Sequence, residues 1–187
     1  MTVAEGKARI VHANGTEDIC EPGNCPDSTF GVGDWVMTEP RTYLVINSKA
    51  GRFILGPNTR LVVTKTFISV AGGEVRFELM RAPCPIFVSP PAKLGQRIAR
   101  IVPRKCKDAD FSVKGNGNGV EIRDDNNGQL RVLNGQGNTV ELKRTGDVTR
   151  VGTKGAPTRP RKPKLKLCRS NVDRNEFQFV FCLPFGR

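Results

Sequence analysis

Residues 52–63 read Arg52-Phe53-Ile54-Leu55-Gly56-Pro57-Asn58-Thr59-Arg60-Leu61-Val62-Val63, two short apolar runs on either side of a Gly-Pro-Asn-Thr break. Pro57 sets φ for a turn and removes a backbone donor, while Asn58 tolerates a left-handed conformation, so the break reads as a turn. The flanking runs are too short for helices and carry β-branched and aromatic residues, so they read as strands. The same rhythm extends in both directions. Upstream, residues 5–12 alternate before Asn14-Gly15, and Thr42–Asn47 precedes Lys49-Ala50-Gly51. Downstream, strands are predicted over 67–70, 74–80, 85–88, 97–102, 119–123, 129–133, 139–143 and 147–151. For 93–101 a short helix is the weaker alternative, because Gly95 lies inside it. A strand about every nine residues predicts a single all-β domain that is sandwich-like, barrel-like or solenoid-like, within a chain of 187 residues. The passages 44–63 and 120–142 share their order of strands and turns, which predicts two similar lobes or stacked turns.

Cysteine usage bears on compartment. Six Cys accompany a single His. They fall as Cys20 and Cys25, Cys84 and Cys106, and Cys168 and Cys182, which by proximity predicts three sequence-adjacent disulfides among the fifteen connectivities open to six cysteines. Zinc-ligand spacing is absent, so structural bridges are favoured over a metal site. Bridges imply an oxidising, periplasmic or extracellular location, with an export signal already removed. No apolar run approaches the ~18 residues a membrane span needs. Residues 17–29, acidic and Pro-containing, are predicted to be a stapled loop.

The net charge of +12 is unevenly placed. Residues 81–107 and 153–169 each hold seven Lys or Arg and no Asp or Glu. In the second block Pro157, Pro160 and Pro163 hold the chain extended, which predicts a basic linker or arm over 153–167. Its Lys154, Arg159, Arg161, Lys162, Lys164, Lys166 and Arg169 are candidate contacts for an anionic partner such as nucleic acid or lipopolysaccharide. The arm holds no aromatic, so contacts there would be electrostatic and salt-dependent. Beyond it, Glu176-Phe177-Gln178-Phe179-Val180-Phe181 alternates strictly and predicts a terminal strand within 168–187 that docks back on the body.

Catalytic patterns are weak. His12 ends a strand beside Asn14-Gly15 and reads as a surface histidine. Asp108 and Asp110, and Asp124 and Asp125, lie in turn-forming sequence. Gly115-Asn116-Gly117-Asn118-Gly119 lacks the spacing of a phosphate loop and opens onto a strand. Trp35, Tyr43 and the Phe residues are assigned to core packing. No catalytic residue, cofactor or metal is expected.

Four passages, Gly6–Val11; Gly31-Val32-Gly33-Asp34-Trp35-Val36-Met37-Thr38 followed by Gly51–Leu61; Gly73-Glu74-Val75-Arg76-Phe77; and Phe87-Val88-Ser89-Pro90-Pro91-Ala92, together resemble the FecR-like domain of exported bacterial proteins. The likeness covers residues 5–152. It departs from the family pattern at residues 106–110 and in its Cys pairs. It implies a twisted β-solenoid-like fold and a non-enzymatic role in signal sensing, scaffolding or contact with a protein or cell-envelope component.

Overall fold

The computed structural model describes residues 1–3, 5–26, 30–48, 51–64, 68–80, 85–89, 97–104, 109–126 and 129–162. Cys84, Cys106, Cys168 and Cys182, with Lys164, Lys166, Arg169 and the expected strand over 176–181, lie outside them. The described residues form sixteen strands in two sheets and no helix.

The chain passes repeatedly between two layers. Thr2–Val3 (β1) lies in the first sheet, and the hairpin Ala8–Val11 (β2) and Glu17–Cys20 (β3) lies in the second with Trp35–Thr38 (β4). Leu44–Ser48 (β5) and Gly51–Leu55 (β6) return to the first; Arg60–Val63 (β7) and Ile68–Val70 (β8) go back to the second. Glu74–Leu79 (β9) crosses again. Ile86–Ser89 (β10) and Ala99–Pro103 (β11), Ala109–Asn116 (β12) and Gly119–Asp124 (β13), and Leu130–Asn134 (β14) and Thr139–Leu142 (β15) then alternate between layers, and Val148–Gly152 (β16) ends in the first.

The seven-stranded sheet therefore reads β1-β5-β6-β9-β12-β13-β16, in sequence order. The nine-stranded sheet reads β15-β14-β11-β10-β8-β7-β4-β2-β3, again in sequence order save for the β2–β3 hairpin at its end. The chain thus advances along one axis while switching layers, as a solenoid does. Its pairings are nevertheless antiparallel except for β8 with β10, which is the pattern of a sandwich. The expected likeness of 44–63 to 120–142 does not extend to pairing. β5 and β6 form a hairpin before the chain crosses to β7, whereas β13 crosses first and β14–β15 form the hairpin.

Alternation decides what lies between the layers. In β9, Val75, Phe77 and Leu79 are buried while Glu74, Arg76 and Glu78 face outward. Phe53, Phe77 and Phe111 stand opposite one another on β6, β9 and β12, with centroids 5.5 Å apart edge-to-face and 5.1 Å apart stacked. Buried aromatics in these geometries add to the area they bury. Trp35 does not join this core: Val36 and Thr38 face inward from β4, leaving Trp35 and Met37 half-buried on the outer face.

Two further expectations are corrected. Residues 17–20 are not loop but β3, because Ala8 through Val11 supply a partner edge that the local sequence does not advertise. Cys20 and Cys25 are joined by a disulfide that closes the Glu21–Asn24 bridge just beyond it. Residues 109–116, for which the sequence predicts no strand, form the longest strand among the described residues, paired on both sides.

Candidate functional site

The outer faces of the two sheets differ in how their charges are balanced. On the seven-stranded sheet cations and carboxylates face one another across the strands. Arg52 pairs with Glu78 at 2.6 Å, and Arg76 makes a two-pronged contact with Asp110 at 2.6 and 2.8 Å. Arg123 reaches over Ser112, donating to its hydroxyl, and lies between Asp125 and Glu74, the latter at 3.1 Å. A small Ser on the intervening strand leaves room for that reach. Burial pushes the Glu74 carboxyl up, against the pull of Arg123. Glu121 takes both Arg150 and Arg161, at 2.8 and 3.0 Å. Opposite charges on one face stabilise the sheet and leave little net field.

On the nine-stranded sheet the same alternation places Arg100 and Arg104 outward from β11, Arg131 from β14, and Lys143 just beyond β15, all exposed. Arg97 lays its guanidinium over the Phe87 ring, 4.7 Å from the centroid, within range of a cation–π contact. Glu141 is the carboxylate among them, 3.9 Å from Arg131 and 3.4 Å from Lys143. Arg104 donates to Gln129, a neutral partner, and Arg100 has no acidic partner among the described residues. Two open grooves border these cations. One, of about 550 Å³, lies between Arg104, Gln129, Arg131 and Lys143; the other, of about 310 Å³, lies between Phe87, Arg97, Arg100 and Leu133.

The basic segment after β16 is tied down through residue 161. Thr158 N donates to Arg150 O at 2.9 Å and accepts Arg150 N on its hydroxyl; Val148 and Arg161 exchange two backbone bonds. Asn134, buried in the β14–β15 turn, holds Gly155 O at 2.6 Å. Of the expected contacts, Lys154, Arg159 and Lys162 are exposed, while Arg161 is engaged with Glu121. The structure therefore brings part of the 81–107 block together with β14 and β15, a grouping that sequence reasoning did not make.

Two of the stretches behind the family resemblance, 31–61 and 73–77, meet inside the fold. Thr38 N donates to Thr59 O, Thr59 N donates to the Thr38 hydroxyl, and that hydroxyl donates to Gly56 O at 2.6 Å. The Thr59 hydroxyl accepts Glu74 N at 3.1 Å. Gly73, with φ of +64°, leaves Thr59 no room for a neighbouring Cβ. Asp34 accepts the amides of Ala13 and Gly31 at 2.9 and 2.8 Å. These residues satisfy buried backbone groups where the chain changes layers.

His12 is not an ordinary surface histidine. Its Nδ1 lies 3.1 Å from Asp34 and its Nε2 2.9 Å from Asp18, so both ring nitrogens face carboxylates. Those two bonds, with Asp18 first, push its pKa up. Asp125 and Asp110 do more than shape turns, since Asp125 belongs to the Arg123 cluster and Asp110 pairs with Arg76, whereas Asp124 accepts Asn126 N as a turn residue does; Asp108 lies outside the described residues. No helix of the described residues is long and apolar enough to cross a membrane, and no cluster of metal-ligating side chains occurs among them. No family model and no curated protein matches the chain.

Proposed function

We propose that this chain is a non-enzymatic binding or scaffold domain of FecR-like type, working outside the cytoplasm and meeting an acidic partner on the outer face of its nine-stranded sheet. One observation carries the reading: Arg97, Arg100, Arg104, Arg131 and Lys143 gather at the β11–β14–β15 end of that face around one carboxylate, Glu141, while the opposite face is balanced pair by pair. An exposed field of one sign attracts an oppositely charged surface and raises its rate of encounter. The order of the FecR-like stretches along the chain is what supports the family assignment. The Cys20–Cys25 bridge supports an oxidising compartment.

A second reading places the anionic partner on the basic segment, where Lys154, Arg159 and Lys162 are exposed. Immobilised polyphosphate, a polyanion without peptide, base or sugar, separates the two. Retention of the full chain is expected to drop in the R100E/R131E variant and to persist in R159E/K162E; the reverse result overturns the face as the binding surface. A non-reducing peptide map that finds Cys84, Cys106, Cys168 and Cys182 as free thiols in the native protein would remove the argument for export.

A further inference from the structure

The cations of the nine-stranded sheet are arranged in a line. Arg100 stands opposite Leu133; Arg131, two residues earlier on β14, stands opposite Glu141; and Lys143 lies two residues past Glu141. Each step therefore moves one strand across and two residues along, a diagonal of about 7–8 Å. Arg97 continues the line at the other end, because Phe87, on which it rests, is opposite Arg100. The result is an oblique, predominantly positive track over three strands, with Glu141 the one carboxylate set between Arg131 and Lys143.

Resting on the reading that this face binds the partner, we infer that the track takes a linear anionic polysaccharide, with a carboxylate or sulfate group at each step. Three observations select that chemistry. Arg100 and Arg131 stand on β11 and β14, whose backbone groups are already paired on both sides, so an acidic peptide that extends the sheet at its edge strand, β15, would run along that edge rather than across the track. The ring nearest the track, Phe87, is covered by the Arg97 guanidinium, and base stacking on single-stranded nucleic acid needs an open ring. The two flanking grooves combine arginine rims with the apolar side chains of Val102 and Leu133, a surface that receives both the charged groups and the C–H faces of pyranose rings. Planar guanidinium forks also match carboxylate and sulfate oxygens two at a time.

The test is calorimetric titration of the full chain with polygalacturonate and heparin fragments, beside poly-glutamate and a single-stranded oligonucleotide of matched charge. The glycans are expected to bind more tightly than either comparison polymer. By counterion release, neutralising three charges lowers affinity roughly twentyfold between about 50 and 200 mM salt. The R100E/R131E variant is expected to lose at least about tenfold, with R159E/K162E unchanged; R100A/R131A replaces the first should charge reversal disturb the circular dichroism spectrum. Equal or tighter binding of poly-glutamate or the oligonucleotide, lost in R100E/R131E, overturns the polysaccharide assignment while leaving the binding face in place. Glycan binding that is indifferent to R100E/R131E overturns both, and no glycan binding overturns the assignment.

Discussion

His12 Nδ1 sits 3.1 Å from the Asp34 carboxylate, and the far side of the same ring meets Asp18 at 2.9 Å. Only the imidazolium has two N–H groups to offer, so both contacts are satisfied at once only when His12 is protonated. Its raised pKa means that the stability it contributes is complete below the ordinary histidine value and is lost as pH rises through the raised one. For Asp34, burial acts to raise the pKa, but the amides of Gly31 and Ala13 and the His12 ring outweigh it and hold the carboxyl low. Its contribution is present above the ordinary carboxylate value and fades as pH falls through the depressed one. Stability should therefore plateau between these limits. Because His12 is the only histidine in the chain, H12Q should remove the histidine-linked decline on the alkaline side in urea melts across pH. An unchanged alkaline limb would refute the clasp.

Arg123 is the cation between Glu74 and Asp125, and all three side chains are largely buried. Removing it leaves two carboxylates facing each other without compensation. R123M should cost about 3 kcal/mol in chemical denaturation. E74Q removes a carboxylate already made costly by burial and leaves Asp125 on Arg123, so it should stay within about 1 kcal/mol of the parent. Equal losses in the two variants would argue against Arg123 as the centre of the cluster.

Gly115, near the end of β12, and Gly117, in the turn that follows it, should respond differently to alanine. A Cβ on Gly115 would lie 2.3 Å from Val70 O and 2.7 Å from Gly72 N, both backbone atoms that cannot swing aside. G115A should lose about 2–3 kcal/mol through forced separation of the layers. Gly117 has φ of +52° with nothing within 4 Å, so G117A should cost only about 1 kcal/mol of backbone strain. Thermal melts of both variants decide; a larger loss at Gly117 would contradict the close approach.

Residues 156–162 shield the outer edge of β16 through the bonds of Thr158 and Arg161. T158V removes the hydroxyl that accepts Arg150 N, and about 1 kcal/mol should follow. Ending the chain at residue 155 should expose amide protons of Val148 and Arg150 to rapid hydrogen exchange, with β13 and β12 less affected. Unaltered protection of Val148 would show that this segment does not cover the edge.

The Cys20–Cys25 bridge closes a short loop at the open end of the β2–β3 hairpin, where Cys20 stands opposite Ala8. Loop-closure entropy for so few residues is modest, so the C20S/C25S double variant should lose about 2 kcal/mol and keep its fold. Loss of cooperative unfolding in that variant would mean that the bridge organises more than its own hairpin.

Strand positions were legible wherever two apolar residues alternate between turn residues. Arg60–Val63 and the turns at Gly56-Pro57-Asn58 and Asn134-Gly135 stand where the sequence places them, because φ preferences and a period of two are local properties. Glu17–Cys20 was illegible for the complementary reason: its Glu-Asp-Ile-Cys composition favours no strand, and it becomes one through the exposed edge of β2. The Ala109–Asn116 strand was obscured by a glycine at 115 whose purpose, contact with the Val70–Gly72 backbone, involves residues over forty positions earlier.

The amino-acid sequence by itself determined the all-β class, the turn positions, the cysteine pair at 20 and 25 and the two blocks of positive charge, since each depends on neighbours along the chain. Only the tertiary structure decided which charges are neutralised and which are presented. Electrostatic pairing acts over a few ångströms in space, and strand register brings Arg123 to Glu74 and Arg161 to Glu121 while aligning Arg100, Arg131 and Lys143 along an open face. The same register turned a lone histidine beside a turn into a ring held between two aspartates.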